Sequence, residues 1–141
     1  MKVIEVEKAY FEKELARLPR DGRRYLDDEI RTDKYYLIYS PDVVGGFTLT
    51  RVEEVLEIGA IFSLTKGVGA IDLAIQEAKR VAKQEGDLIL QVFCIDVPLR
   101  DTYERKGFFE VEAFSWDWKL APKLWYKDDG EPPLFLMQKY L

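Results

Sequence analysis

One succession restricts the fold more than any other. From Leu56 to Ile95 the chain runs through an apolar stretch, a glycine turn, a long amphipathic pattern and a second apolar stretch. Leu56-Glu57-Ile58-Gly59-Ala60-Ile61-Phe62-Ser63-Leu64 reads as a largely buried strand. After the turn Lys66-Gly67-Val68-Gly69-Ala70, residues Val68, Ile71, Ile75, Ala78 and Ala82 recur at helical spacing. That stripe predicts a helix to about Gln84, with Gly86 just past its end. Leu88 to Ile95 is nearly continuous in apolar residues, as expected of a strand covered on both faces. Strand, helix and strand in this order predict a crossover whose two strands are parallel neighbours or nearly so. The two glycines thus stand where a strand turns into a helix. Unpaired N–H groups and the positive end of the helix dipole gather there, and glycine leaves no side chain to keep a phosphate away.

The remaining pattern fits around this unit. Lys2 to Val6 alternates as a short strand, and Tyr10 to Leu18 places Phe11, Leu15 and Leu18 on one helical face. Pro19 ends that helix, Arg20-Asp21-Gly22 is turn chemistry, and a second short helix is expected from Arg24 to Arg31. Tyr35 to Tyr39, Val43 to Val52 and Val55 to Leu64 read as an antiparallel meander, with Gly45-Gly46 marking a bulge or a close backbone approach. Asp96-Val97-Pro98 opens another helix, which carries Leu99, Thr102 and Tyr103 on successive turns and ends at Gly107. A strand from Phe108 to about Trp116, an irregular segment from Lys119 to Pro133 and a closing strand from Leu134 complete the chain. The expectation is one α+β domain over residues 1–141: a mixed, mostly antiparallel sheet of about seven strands flanked by about four helices.

Composition removes whole classes of chemistry. The 141 residues contain no histidine and one cysteine, Cys94, which lies inside an apolar strand and reads as an inert core thiol. Ser-His-Asp hydrolysis, Cys-His proteolysis, histidine-based zinc sites and a disulfide framework are therefore excluded, and no metal site is expected. Proton transfer falls to carboxylates, tyrosine, lysine or water. Twenty-six acidic against twenty-one basic residues give a net charge of −5, the wrong sign for a dedicated nucleic-acid binder. No apolar run approaches the roughly 20 residues that span a bilayer, and the N-terminus lacks a signal-peptide pattern, so a soluble, cytoplasmic protein is expected.

By itself the glycine turn is not diagnostic. Ala70-Ile71 after the second glycine excludes a Gly-x-x-x-x-Gly-Lys-Ser/Thr phosphate loop, and the missing third glycine excludes the dinucleotide fingerprint. A second element gives it meaning. Asp96-Val97-Pro98-Leu99-Arg100-Asp101-Thr102-Tyr103-Glu104-Arg105-Lys106-Gly107-Phe108 resembles the second signature of the GNAT-type N-acetyltransferase superfamily, a helix that ends in an aromatic, a short charged run and Gly-Phe. Leu64-Thr65-Lys66-Gly67-Val68-Gly69 is similar to the family's Gln/Arg-x-x-Gly-x-Gly/Ala turn, and the order of elements agrees over nearly the full chain. There are departures: Leu64 stands where the family usually carries Gln or Arg, Asp96 replaces a frequent Asn and Leu99 a frequent Ala, and the loop into the turn is shorter.

The resemblance implies acetyl-CoA as co-substrate, bound between two splayed parallel strands. Its pyrophosphate would meet the N–H groups of Lys66, Gly67, Val68, Gly69 and Ala70. Its pantetheine arm would run along Ile61, Phe62, Ser63 and Leu64, whose amides also serve as an oxyanion hole, and Asp96 and Tyr103 complete the cofactor-binding set. Tyr103 is the candidate general acid toward the departing thiolate, against the plain reading of a helix tyrosine with its ring in the core. Glu57 is the candidate base for the acceptor ammonium, directly or through water, against an outward-facing strand glutamate; Glu54 is a weaker substitute. With no histidine and a buried cysteine, direct transfer in a ternary complex to a primary amine is the expected route. Trp116, Trp118, Trp125 and Tyr126 either line the acceptor pocket or form an edge packing or homodimer contact. Two other readings remain: a non-catalytic acyl-CoA-binding module of the same fold, and a partner-binding protein that uses the Trp116–Tyr126 region. The acceptor itself is not legible, since the cluster Asp27-Asp28-Glu29 and the acidic balance suit many amines.

Overall fold

The structure is a computed structural model that describes residues 1–26 and 32–141. The chain forms strands β1 (Lys2–Val6), β2 (Lys34–Tyr39), β3 (Val43–Val52), β4 (Val55–Ser63), β5 (Ile89–Ile95), β6 (Phe109–Phe114) and β7 (Leu134–Tyr140). Helices α1 (Lys8–Leu15) and α2 (Arg20–Arg23) lie between β1 and β2, α3 (Ala70–Glu85) joins β4 to β5, and α4 (Val97–Arg105) joins β5 to β6. The seven strands make one sheet in the order β1-β2-β3-β4-β5-β7-β6. Each neighbouring pair is antiparallel except β4 and β5, which are parallel as the crossover requires. This is the α+β architecture expected from the sequence.

Each face of the sheet has its own apolar layer. On one face α3 lays Ala70, Ala74, Ala78 and Ala82 against Phe47, Leu49, Ile58 and Val92, and α4 adds Tyr103. The alanines are what let a long helix settle closely on a sheet. On the opposite face Phe11 of α1 packs with Leu37 and Phe62. α3 ends at Gly86, whose φ of 83° favours glycine, and the Asp87 amide bonds back to Ala82. α4 begins where the Asp96 carboxylate accepts the Val97 amide at 2.7 Å, with Pro98 in the first turn.

Strand β4 is irregular in its middle. Its register with β3 slips between Gly46/Phe62 and Thr48/Gly59, and Ala60 adopts φ 46°. The extra residue reverses the alternation of side chains, so Ile58 enters the α3 core while Phe62 enters the α1 core. The Gly45-Gly46 pair serves a close approach beside this bulge. A Cβ on Gly45 would lie 2.5 Å from the Phe62 carbonyl oxygen, and one on Gly46 2.7 Å from the Phe62 ring.

Four segments differ from expectation. α1 starts at Lys8 and stops at Leu15, earlier than Tyr10–Leu18. Arg20-Asp21-Gly22 is helical and not a turn, since the Pro19 carbonyl, four residues past the end of α1, accepts the Arg23 amide at 3.0 Å and starts α2. Of the helix expected from Arg24 to Arg31, residues 24–26 form turn and bend, and the rest, with the Asp27-Asp28-Glu29 cluster, lies outside the described residues. β6 ends at Phe114, two residues before Trp116, because the chain there turns away to bring its tryptophans together.

Candidate functional site

The site begins where β4 and β5 part. Their parallel ladder consists of Leu56 with Leu90, Glu57 with Gln91 and Ile58 with Val92, and then stops. Beyond it β4 pairs with β3 alone and β5 with β7 alone, leaving a fork in the middle of the sheet. The bulge at Ala60 sits at the crotch and bends β4 away. Leu64 gives its amide to the Val44 carbonyl at 2.7 Å, so by strand alternation the Ser63 backbone points to the open side. Of the expected strand contacts, Phe62 is buried in the α1 layer and its amide faces β3, while Ile61, Ser63 and Leu64 remain on or near the free edge.

Above the fork stands the glycine turn. Gly67 (φ 78°) and Gly69 (φ 69°) both occupy the left-handed region, and a Cβ at either would meet nothing within 4 Å. The space over the first turn of α3 is therefore open. Val68 and Ala70 are buried and fix the turn to the core, whereas Lys66 is exposed. Lys106 pairs with Asp72 in the first turn of α3 at 2.5 Å, which ties the end of α4 to the start of α3. Lys139 holds the same corner by donating to the Lys106 carbonyl at 2.7 Å, and its Nζ lies 2.6 Å from where a Cβ on Gly107 would stand. The glycine of the Gly-Phe motif is thus favoured by its φ of 92°, and a side chain there would also displace the Lys139 ammonium.

Tyr103 lies on the α3–α4 side, with its ring edge-on to Phe108 at 5.4 Å. Burial pushes its hydroxyl well above the usual tyrosine range, so it stays protonated at neutral pH. Cys94, also in this layer, is pushed up to about 11 by burial, which matches an inert core thiol.

Glu57 stands on the other face. A cavity of about 510 Å3 opens there, floored by Thr48, Thr50, Glu57 and Gly59 and reaching the fork at Ala60, Phe93 and Ile95. Gln91 donates to Glu57 Oε1 at 2.9 Å, and Gln138 donates to Gln91 Oε1 at 2.8 Å. This row across three strands fixes the Glu57 carboxylate at the mouth of the fork. The sequence reading missed it, although a glutamine inside each of two apolar strands was the available signal.

The cavity's far wall comes from Tyr25 and Leu26 and from the β6–β7 connection, through Trp116, Asp117 and Leu120. Trp116 lies 4.9 Å from Trp125 and 5.5 Å from Trp118, and Tyr25 meets Trp125 edge-on at 5.3 Å. Of the aromatic series, Trp116 lines the cavity and Trp125 is buried behind it, while Trp118 and Tyr126 stay largely exposed. Asp129 clamps the wall together: it accepts from Arg20 at 3.0 Å, from Arg24, and from the Tyr126 amide at 2.8 Å. The Arg20 guanidinium, that amide and Arg24 hold its carboxyl down at about 2.

Among the described residues no group of acidic, cysteine or histidine side chains is placed to hold a metal ion, and no helix is long and apolar enough to cross a membrane.

No family model matches the chain, and no curated protein sequence matches it. Solved structures do. A ribosomal-protein-alanine N-acetyltransferase from Brucella melitensis superposes with a TM-score of 0.72 at 14% identity over 100% of both chains. A GNAT family acetyltransferase from Elizabethkingia anophelis with acetyl-CoA bound gives 0.71 at 16% identity, over 99% of this chain and 97% of that one. An IAA acetyltransferase from Bacillus cereus gives 0.70 at 15% identity over 99% of each. The chain has the fold of the GNAT-type acetyltransferases.

Proposed function

We propose that the protein transfers an acetyl group from acetyl-CoA to a primary amine, by direct attack in a ternary complex. The observation that carries this reading is the fork. It joins, through one opening in the sheet, an unobstructed helix N-terminus on one side and a carboxylate-bearing cavity on the other. The fold supports it, since solved structures of the same fold are acetyltransferases and one of them holds acetyl-CoA.

In this reading the amides of residues 66–70 take the pyrophosphate, and Ser63 pairs with the pantetheine arm as an added strand would. With the Phe62 and Leu64 amides turned to β3, the Ser63 amide and that of Ile61 are the ones left to stabilise the negative charge on the thioester oxygen. The acceptor enters through the opposite cavity. Glu57, directly or through a water, takes the proton that the ammonium must lose before its nitrogen attacks the acetyl carbon. The carbon–sulfur bond breaks as the tetrahedral intermediate collapses, and Tyr103 gives the departing thiolate its proton. Burial leaves Tyr103 protonated, as a donor must be, and also makes it a weaker acid than an exposed tyrosine. Asp96 already caps α4, so its part in cofactor binding is to hold the second motif in place.

The test is a thioester-cleavage assay with an amine panel, alongside calorimetry with acetyl-CoA. Tyr103→Phe keeps the buried ring and removes the proton, and should lower kcat by at least about 100-fold with CoA affinity retained. Unchanged turnover refutes the acid role. No CoA binding at millimolar concentration refutes the transferase reading as a whole.

A further inference from the structure

The chemistry of the acceptor cavity narrows the substrate beyond "a primary amine", an inference that rests on the transferase reading. Glu57 and Asp117 are the charged groups among the described lining residues, and the guanidinium that lies on Tyr25, that of Arg24, is paired with Asp129. An acceptor that carries a carboxylate or phosphate has no counter-charge among the described lining residues and meets two carboxylates instead. Beyond the two carboxylates and the threonine floor, the wall is apolar or aromatic: Tyr25, Phe93, Trp116, Leu120, Pro122 and Leu134. The Thr50 hydroxyl is already committed to Thr32 at 2.6 Å. With Glu57 taken by the reacting nitrogen, Asp117 could meet one further ammonium, but the remaining ammonium and hydroxyl groups of a polyamine or an aminosugar would face mostly apolar surface among the described lining residues. An apolar body loses nothing there and gains burial.

Leu120 makes the same point from the protein side. It is 78% exposed, although it lines the cavity, and Phe93 is 50% exposed. These are surfaces that an apolar ligand would cover. The Tyr25 ring already carries the Arg24 guanidinium at 5.1 Å, so of the lining aromatics Trp116 is the better partner for a ligand cation. The volume of about 510 Å3 falls within the range of sites for small molecules.

We propose that the acceptor is an apolar primary amine, an aryl- or alkylamine with no second charge. Its ammonium meets Glu57 at the fork and its body lies against Trp116, Tyr25 and Leu120.

Binding can be read without turnover. All three tryptophans of the chain cluster here, with Trp116 lining the cavity and Trp118 and Trp125 packed against it, so tryptophan fluorescence reports on this region. The probes are 2-phenylethylamine, phenylacetate, 2-phenylethanol, spermidine, kanamycin and an alanine-initiated hexapeptide, each titrated with CoA present and then offered as acceptor with acetyl-CoA. 2-Phenylethylamine should bind at least tenfold more tightly than phenylacetate and spermidine. Leu120→Ser, at an exposed position, should weaken it at least threefold. Asp117→Asn keeps the acceptor for the Lys119 amide while removing charge, and should weaken the amine at least threefold but leave 2-phenylethanol unchanged. Preference for spermidine, kanamycin or the peptide overturns the inference while leaving the transferase reading intact. Tight binding of 2-phenylethylamine with no acetyl transfer upholds the cavity's preference and refutes the transferase reading.

Discussion

Replacing Gln91 by methionine tests whether the glutamine row across β4, β5 and β7 positions the Glu57 carboxylate. Methionine is close in volume and fits a buried strand position, so cavity formation contributes little. Two hydrogen bonds disappear: the Gln91 amide to the Glu57 carboxylate at 2.9 Å, and the Gln138 amide to the Gln91 oxygen at 2.8 Å. A bond to a charged group is worth about 1.5–3 kcal/mol and a neutral one about 0.5–1.5 kcal/mol, for an upper bound of about 4.5 kcal/mol. Glu57 and Gln138 are half-buried, so water recovers part of this, and the expected loss is about 1–2 kcal/mol. Urea unfolding measures it, and the Gln91→Met/Gln138→Met cycle should give a coupling of about 1 kcal/mol. In the acetyl-transfer assay Gln91→Met should lower kcat about tenfold, because an untethered carboxylate spends less time in place, with the KM for acetyl-CoA unchanged. Glu57→Gln is the companion variant: it still offers Gln91 an oxygen, so it should keep stability yet lose the base. A loss below about 0.5 kcal/mol together with unchanged kcat for Gln91→Met would refute the positioning role.

Gly69→Ala adds a methyl with no neighbour within 4 Å but at φ 69°, so it should cost about 1 kcal/mol in unfolding and weaken CoA at least tenfold by filling the phosphate space; unchanged CoA affinity would count against the cradle. Gly45→Ala, whose methyl would lie 2.5 Å from the Phe62 carbonyl oxygen, should lower the melting temperature far more than Gly69→Ala, and equal shifts would contradict the close packing. Asp129 has its carboxyl lowered from 3.8 to about 2, so its stabilising contribution is complete above the unfolded value and is lost as pH falls through about 2. Tryptophan fluorescence from pH 5 to 2 should show the wall loosening in the wild type, and Asp129→Asn should lack that acid transition. Cys94, pushed up to about 11 and buried, should resist alkylation at pH 8 until the protein is unfolded, as mass spectrometry would show.

Some of these features follow from local rules and some do not. Glycines at Gly67 and Gly69 before an apolar stripe require a turn into a helix, since both adopt positive φ, and the run Leu88–Ile95 requires a strand covered on both faces. Periodicity and punctuation act over a few residues, which is why the sequence by itself determined the succession of strands and helices, the parallel β4–β5 neighbours and the placing of Tyr103 on the helix after β5. Contacts between distant segments obey no such rule. That the β4–β5 ladder stops after Ile58, that an extra residue at Ala60 swings Phe62 to the opposite face, and that Gln91 and Gln138 line up behind Glu57 depend on how three strands register. The same holds for Asp129, more than a hundred residues from Arg20 and Arg24, whose charges meet only because the β6–β7 connection folds back over α2. The glycine turn was written locally, in residues that dictate their own backbone. The cavity wall was decided by tertiary structure, because its chemistry exists only where separate segments are brought together.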